Sequence, residues 1–241
     1  MLLEAKGIVK AFGSFRAVDQ ADLVVAENEL IGLIGPNGAG KSTFFNCLAG
    51  DTRPTAGTVR FRGMEMTGLS PDRHARRGLA RTFQVPIVFA GMTVRENVMV
   101  GALLRHPHRR IAAAKADELL AFAGLAERAE MPVTALGTSG RKRLEIARAL
   151  ATEPKLLLLD EALAGLTSSE VEAAIALVER IHARGVTLIV VEHIMEVIHR
   201  LTRRVLVFHQ GRVIAEGTPA EVTADPTVIS AYLGRRRGRS A

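Results

Sequence analysis

The sequence predicts an α/β fold in which helices cover a mostly parallel core sheet around a phosphate-binding loop. The first observation is an alternation of short apolar strand patterns with helical segments through the last third of the chain. The strand patterns lie at residues 155–160, 186–191 and 205–208. The second observation is a glycine-rich turn, residues 35–40, that joins a buried-strand pattern to a helical segment. Strands separated by helices pair in parallel, because each crossover returns the chain to the same edge of the sheet.

The other elements follow from local patterns. Residues 1–60 are rich in strand patterns, and the stretch from Thr93 to about Ala129 is helical, as is the segment from Leu144 to Ala151. Three helix starts carry a threonine followed three residues later by a glutamate, a pair that satisfies backbone N–H groups reciprocally. These starts are Thr93–Glu96, Thr167–Glu170 and Thr218–Glu221. No linker separates independent domains, so we expect a single domain over residues 1–241.

Composition restricts the class of protein. With 48% hydrophobic residues the chain can bury a substantial core, and no apolar run reaches the roughly 18 residues of a membrane span. The N-terminus lacks the pattern of a secretory signal, and the single cysteine, Cys47, fits a reducing compartment. The net charge of +7 permits an anionic partner, but the absence of tryptophan argues against base stacking on nucleic acid. The arginine cluster at 235–239 predicts a frayed tail or a contact with acidic lipid or a membrane protein.

The most specific motif is the phosphate loop, Gly35-Pro36-Asn37-Gly38-Ala39-Gly40-Lys41-Ser42-Thr43, whose first eight residues match G-x-x-x-x-G-K-[ST]. Its glycines allow backbone N–H groups to turn towards phosphate oxygens at the positive end of the following helix. Lys41 is predicted to reach the β- and γ-phosphates of ATP, and Ser42 to ligate Mg²⁺ through its hydroxyl. We therefore expect this loop to bind Mg-ATP.

An acidic pair supplies the second half of such a site. Four leucines, Leu156–Leu159, form a buried-strand pattern that ends in Asp160 and Glu161. In phosphate-loop enzymes an aspartate at this point holds the magnesium ion, and the glutamate after it is placed to polarise the attacking water. The pair therefore predicts hydrolysis of ATP as well as its binding.

With these motifs in place, the chain resembles the nucleotide-binding subunit of an ABC transporter over nearly its whole length. Three further regions carry the resemblance. Arg81–Gln84 with Met92–Asn97 is similar to the family's Q-loop region, and Arg143–Leu150 is similar to the helix that follows the signature motif. Val190–His193 is similar to the strand that ends in the switch histidine. The resemblance implies the ABC ATPase fold, a P-loop NTPase core with an N-terminal antiparallel β subdomain and an inserted α-helical subdomain. It assigns residues 1–84 and 152–241 to the core, and about 85–151 to the helical subdomain and signature region.

The resemblance also implies roles for single residues. Gln84 would contact both Mg²⁺ and the attacking water, and His193 would bond the γ-phosphate and hold Glu161 in place. Phe12 would stack on adenine, with Phe15 as a rival and a core position as the alternative. The implied catalytic residues are then Lys41, Gln84, Glu161 and His193, and the implied magnesium ligands are Ser42, Gln84 and Asp160.

The signature motif departs from the family pattern. Where the family has L-S-G-G-Q, this chain has Leu136-Gly137-Thr138-Ser139-Gly140, so the serine hydroxyl at the second position is missing. In the family two subunits sandwich ATP, and each signature faces the partner's phosphate loop. The segment still opens a helix, so its backbone N–H groups and the helix dipole are expected to remain available. Thr138 or Ser139 would replace the hydroxyl if the loop shifts. The departure therefore favours a heterodimer with a second ATPase subunit that has a regular signature, and a homodimer stays open.

A finer resemblance points to importers of branched-chain amino acids and related amides. It is carried by Ala80–Gln84, Ala164–Leu166 and the ending Ala231–Gly234, the last of which is also similar to the lipopolysaccharide-export ATPase. The family implies transmembrane permease subunits as partners and, indirectly, a substrate-binding protein. It places the chain peripherally on the cytoplasmic face of the inner or plasma membrane.

Two rival functions remain open at this point. Nucleic-acid-associated relatives share the ATPase core, but they usually carry coiled-coil insertions, zinc modules or tandem copies, none of which fits 241 residues with one cysteine. The altered signature alternatively permits a clamp that binds ATP and barely hydrolyses it. The presence of Glu161 and His193 argues against that clamp.

Overall fold

The structure, a computed structural model, describes residues 1–233. The arginine cluster at 235–239 lies outside the described residues, as does Gly234 of the ending noted above. The chain divides into two compact units. The first unit contains Met1–Leu69 and the chain from Ile189 onward, and the second is Ser70–Leu188. Strand β8, Thr187–Val191, begins in the second unit and ends in the first.

The first unit combines an antiparallel sheet with the strands that carry the phosphate loop. The antiparallel sheet has the order β2-β1-β4-β5, with β1 Leu3–Phe12, β2 Phe15–Val25, β4 Ala56–Phe61 and β5 Met64–Glu65. The remaining strands have the order β10-β9-β3-β8, with β3 Leu30–Ile34, β9 Arg204–His209 and β10 Arg212–Gly217. Strands β3 and β9 pair in parallel, and β10 returns antiparallel to β9. The helices of this unit are α1 Lys41–Ala49, α7 Met195–Leu201, α8 Pro219–Ala224 and α9 Pro226–Leu233.

The second unit is mostly helical. Its strands β6 Leu79–Arg81 and β7 Leu156–Asp160 pair in parallel. Its helices are α2 Pro71–Arg77, α3 Val94–Ala102, α4 Arg109–Phe122, α5 Thr138–Leu150 and α6 Ser168–Ala183, with short 3₁₀ turns at Ala126–Arg128 and Val133–Ala135. All five residues of β7 are buried, and its four leucines have no exposed surface, which explains the unbroken apolar run.

The predicted α/β fold is confirmed, and so are the three predicted helix starts. Thr93, Thr167 and Thr218 each form a capping box with the glutamate three residues later. The helical stretch expected over 93–129 is instead two α-helices followed by a 3₁₀ turn, with Pro107 in the gap between α3 and α4. Helix α5 begins at Thr138, within the signature segment that was expected to open a helix and six residues before the start at Leu144 that the local pattern predicted. The Thr-Ser-Gly sequence at its start has low helix propensity, which hid those residues from the pattern.

The hydrophobic core of the first unit supports the end of β3. Ile34 packs in a cluster of buried aliphatic side chains with Ile198, Val205, Val207, Val222 and Val228. Phe44 of α1 packs against Phe208 of β9, with ring centroids 5.0 Å apart. The two ends of the phosphate loop are therefore anchored in packed structure. Among residues 1–233, no helix has both the length and the apolar character to cross a membrane.

Candidate functional site

The phosphate loop joins the end of β3 to the start of α1, and two of its glycines have no room for a side chain. A Cβ atom at Gly35, whose φ is 148°, would lie 2.2 Å from the carbonyl oxygen of Phe208. A Cβ atom at Gly40, whose φ is 103°, would lie 2.3 Å from the carbonyl oxygen of Ala17. At Gly38, with a φ of 77°, an added Cβ would meet no described atom within 4 Å. Gly35 and Gly40 are thus required by close backbone approach as well as by conformation, and Gly38 by conformation alone.

Hydrogen bonds hold the loop in shape without a ligand. The Gly211 N–H at the β9–β10 turn donates to the Ala39 carbonyl oxygen at 2.8 Å. The Lys41 ammonium donates to the Gly35 carbonyl oxygen at 2.7 Å and to that of Pro36 at 3.0 Å. Because these bonds already hold the loop, its backbone would lose little conformational entropy when a ligand binds.

The loop presents the groups that a phosphate chain with a magnesium ion needs. Helix α1 has Gly40 as its N-cap, and within residues 1–233 no side chain caps it. Its first N–H groups therefore remain for an anion at the positive end of the helix. Asn37, Gly38 and Ser42 are exposed, whereas Lys41 is only 7% exposed. Backbone N–H groups, an ammonium and the Ser42 hydroxyl together fit a nucleoside triphosphate with Mg²⁺.

In the second unit, Asp160 is a buried carboxylate fixed by strand β6. Its side chain is near the end of β7 and the residue is 3% exposed. An Arg81 guanidinium nitrogen lies 3.2 Å from Asp160 Oδ2, and the Asp160 N–H donates to the Thr82 hydroxyl at 3.2 Å. Carboxylate oxygens are hard donors, so Asp160 suits a ligand of a hard cation.

Glu161 and Gln84 are 77 residues apart in the sequence but are in direct contact in the structure. Gln84 Nε2 donates to Glu161 Oε2 at 2.7 Å. Glu161 has a φ of 47°, in the left-handed region that few residues other than glycine adopt. Its carbonyl oxygen accepts a hydrogen bond from Lys142 Nζ at 2.8 Å. The contact brings together two of the residues predicted to act in hydrolysis.

The remaining predicted site residues lie in the first unit. His193 lies two residues after the end of β8, and it is exposed. Phe12 and Phe15 face each other across the β1–β2 turn and are 54% and 65% exposed, so neither is a core residue. The Lys10 ammonium lies 4.9 Å from the centroid of the Phe12 ring. Both rings are accessible to a ligand, and exposure does not distinguish Phe12 from its rival.

The altered signature segment begins helix α5, and its two hydroxyl-bearing residues differ in exposure. Gly137 is the N-cap, Thr138 is exposed, and Ser139 is half-buried. The pKa of Glu170 is lowered first by the backbone and side chain of Thr167 and to a smaller extent by the nearby Ser139 hydroxyl. Thr138 is therefore the more exposed of the two residues that carry a hydroxyl, and Ser139 lies near Glu170.

Three residues around the acidic pair were missed by the sequence patterns, which assign no role to Arg81, Lys142 or Glu145. Lys142 and Glu145 both lie on α5 and both are buried although their side chains are ionisable, with 7% and 3% of the residue exposed. Burial raises the pKa of Glu145 to about 7, against the opposing effect of Arg148, so this carboxyl is partly protonated near neutral pH. For Lys142 and Glu145 the sequence did hold a signal of burial. They are three residues apart on α5, so they share a helix face, and buried Leu144 and Ile146 lie beside Glu145 in the chain.

The chain matches two protein-family models. A model described as ABC transporter matches residues 18–164, and one described as branched-chain amino acid ATP-binding cassette transporter matches residues 212–237. Among curated proteins, the chain is 38% identical to the high-affinity branched-chain amino acid transport ATP-binding protein LivG of Salmonella typhimurium. That alignment covers 97% of this chain and 98% of the relative.

Solved structures agree with the family models. The ADP conformation of MJ1267, an ATP-binding cassette of an ABC transporter, has a TM-score of 0.87 and 30% sequence identity, and the match covers 97% of this chain and 98% of that one. A dimeric post-hydrolysis state of the cassette MJ0796, bound to ADP and Pi, has a TM-score of 0.83 and 25% identity. This second match covers 90% of the chain and 99% of the structure.

The loop glycines give a matched pair of substitutions. Gly38→Ala should lower the free energy of unfolding by about 1–2 kcal/mol, because only the left-handed backbone is strained. Gly40→Ala adds a backbone clash to that strain and should cost about 2–5 kcal/mol. Urea unfolding without nucleotide measures both. Equal losses of stability in the two variants would contradict the role of the Ala17 contact.

Proposed function

The chain belongs to the ABC transporter family of ATPases, and from that premise we propose that it drives an importer of branched-chain amino acids. As a member of the family it binds nucleotide and hydrolyses ATP to power transport. The substrate class is supported by the similarity to LivG and by the second family model at residues 212–237. The observation that carries the catalytic part of the proposal is the 2.7 Å hydrogen bond between Gln84 and Glu161.

We assign binding of the triphosphate to the phosphate loop. Bound Mg-ATP supplies the γ-phosphoryl group and a divalent cation that neutralises its charge. Lys41, now bonded to the carbonyl oxygens of Gly35 and Pro36, exchanges these partners for phosphate oxygens. The Ser42 hydroxyl, the Asp160 carboxylate and the Gln84 amide oxygen are hard donors of the kind that Mg²⁺ prefers. Phe12 stacks on the adenine ring, with Phe15 as the alternative.

We assign the hydrolytic step to Glu161 as the general base for the attacking water. The Gln84 amide fixes one oxygen of the Glu161 carboxylate, which leaves the other oxygen to accept a proton. His193, exposed at the end of β8, is the proposed contact to the γ-phosphate. Arg81 pairs with Asp160 and holds that carboxylate in place.

The catalytic assignment predicts distinct defects in two variants. Glu161→Gln removes the base and keeps the shape, so Mg-ATP affinity should stay within about twofold while turnover falls at least roughly tenfold. Lys41→Ala removes a cation from the phosphates and should weaken ATP binding itself, as measured by calorimetry. Turnover like that of the wild type in Glu161→Gln, or unchanged affinity in Lys41→Ala, would contradict the respective role.

The substrate class is tested separately by leucine uptake in cells that carry Glu161→Gln, where uptake equal to wild type would contradict it.

We further propose that the segment after Gln84 docks a cytoplasmic helix of the membrane subunits. The segment 85–92 carries apolar side chains in water, with Val85 76%, Ile87 53% and Phe89 42% exposed. A row of exposed apolar side chains marks an interaction surface. The Phe89 ring lies over Arg148 and its backbone is bonded to Asn97, so Val85 and Ile87 are the more available contacts.

Docking is tested by charge substitution at the two available side chains. Val85→Asp and Ile87→Asp should abolish co-purification with the membrane subunits, because a carboxylate would have to be desolvated in the interface. The melting temperature should stay within about 2 °C of the wild type, since neither side chain is buried. Val24→Asp, at a partly exposed strand position in the first unit, is the control. A complex that survives both substitutions would place the docking surface elsewhere.

The altered signature supports a heterodimer with a second ATPase subunit. A dimeric cassette among the solved relatives shows that such domains assemble in pairs. We propose that this chain's phosphate loop and Glu161, together with a regular signature of the partner, form the faster site. The other site relies on the Thr138 hydroxyl, because Thr138 is more exposed than Ser139.

The heterodimer proposal predicts unequal losses in mixed complexes. The chain alone should bind ATP but hydrolyse it slowly, and the cognate partner should restore turnover. Glu161→Gln in this chain should cost the complex more steady-state ATPase activity than the equivalent substitution in the partner. Equal losses, or an active ATP-driven homodimer of this chain, would show that Thr138 replaces the missing serine well.

A further inference from the structure

Lys142 is a buried lysine in helix α5 that the proposed mechanism has not used. Only 7% of the residue is exposed, and its ammonium donates to the carbonyl oxygen of Glu161 at 2.8 Å. Burying an ammonium is unfavourable unless the charge is well hydrogen-bonded, and a charge-assisted bond is stronger than a neutral one. The contact is therefore a strong restraint on the backbone of Glu161.

The restrained carbonyl belongs to a residue in an unusual conformation. Glu161 has a φ of 47°, and its carbonyl oxygen also accepts the Ala164 N–H at 3.2 Å. A non-glycine residue holds a left-handed conformation only where its surroundings enforce it. The conformation sets the direction of the side chain, whose Oε2 meets the Gln84 amide at 2.7 Å. The backbone restraint and the side-chain bond together define where the carboxylate points.

The same face of α5 also meets the segment that carries Gln84. Glu145, one turn after Lys142, lies close enough to the backbone N–H groups of Phe83 and Ile87, on either side of Gln84, for them to lower its pKa against the larger effect of burial. Residues three apart on a helix are neighbours on one face. Helix α5 thus meets Glu161 through Lys142 and the chain on either side of Gln84 through Glu145.

We propose that Lys142 is a positioning residue for ATP hydrolysis, which holds the Glu161 backbone so that its carboxylate is aimed at the attacking water. The proposal rests on the catalytic role proposed for Glu161. Lys142 does not touch the nucleotide in this scheme. Its loss should lower turnover and leave ATP binding unchanged.

The experiment measures steady-state ATPase activity of the full chain in complex with its cognate second ATPase subunit and membrane subunits. Lys142→Met keeps the volume and removes the donor, so kcat should fall about tenfold while KM for ATP stays within about twofold. Lys142→Arg retains a donor and should keep kcat within about threefold of the wild type. Arg180→Met is the matched control, because Arg180 also bonds a backbone carbonyl of the second unit, that of Phe122 at 3.0 Å. Its kcat should be unchanged.

A double-mutant cycle separates positioning from general stability. In a Glu161→Gln background, Lys142→Met should change the residual rate less than about twofold, because the two residues act through one group. An undiminished additional loss in that background would overturn the proposal. So would wild-type kcat in Lys142→Met with a lowered melting temperature, or an equal loss of kcat in Arg180→Met.

A smaller variant keeps the test valid if the methionine variant folds poorly. Lys142→Gln is polar but too short to span the same distance, so its kcat should also fall about tenfold at an unchanged KM. Wild-type kcat in folded Lys142→Gln would overturn the proposal. Wild-type turnover in Glu161→Gln alone would instead contradict the proposed function, so the two failures are distinguishable.

Discussion

The close approach of backbone to backbone around the phosphate loop is the constraint on which the first unit depends. The loop leaves β3 against the Phe208 carbonyl and enters α1 against the Ala17 carbonyl, at distances that admit only hydrogen on the α-carbons of Gly35 and Gly40. Packing of Ile34 below the loop and of Phe44 beyond it fixes both ends. Because neighbouring strands hold the loop, its N–H groups are oriented by the fold itself, and binding need not organise them.

The second unit achieves a comparable order by other means. No glycine lies at the acidic end of β7; Glu161 instead takes a left-handed conformation that the surrounding hydrogen bonds enforce. Asp160, one residue earlier, is fixed by an ion pair with Arg81 and a bond to Thr82. The two acids are adjacent in sequence but held by different partners, so Asp160 is buried beside Arg81 and Glu161 is partly exposed beside Gln84.

The sequence was sufficient for the fold and for the short motifs, because both rest on local chemistry. Each motif encodes one local structure that the fold contains. The glycine spacing gives the phosphate loop, the four leucines before two acids give strand β7, and the threonine–glutamate pairs give the helix caps. The partners of Glu161 could not be predicted in the same way. Lys142 lies 19 residues before Glu161 in the chain, and only the packing of α5 brings its ammonium to that carbonyl. The local pattern placed the start of α5 at Leu144, because the residues at its true start have weak helix propensity, although the signature segment itself was expected to open a helix.

The apolar segment after Gln84 has a consequence for how the chain is made in the cell. Under the proposed docking, a newly synthesised copy keeps Val85 and Ile87 exposed to water until a membrane subunit covers them. Exposed apolar side chains promote self-association and recognition by chaperones and proteases. Synthesis in excess of the membrane subunits would therefore yield orphan chains subject to aggregation or degradation, so that the abundance of the ATPase follows that of its membrane partners.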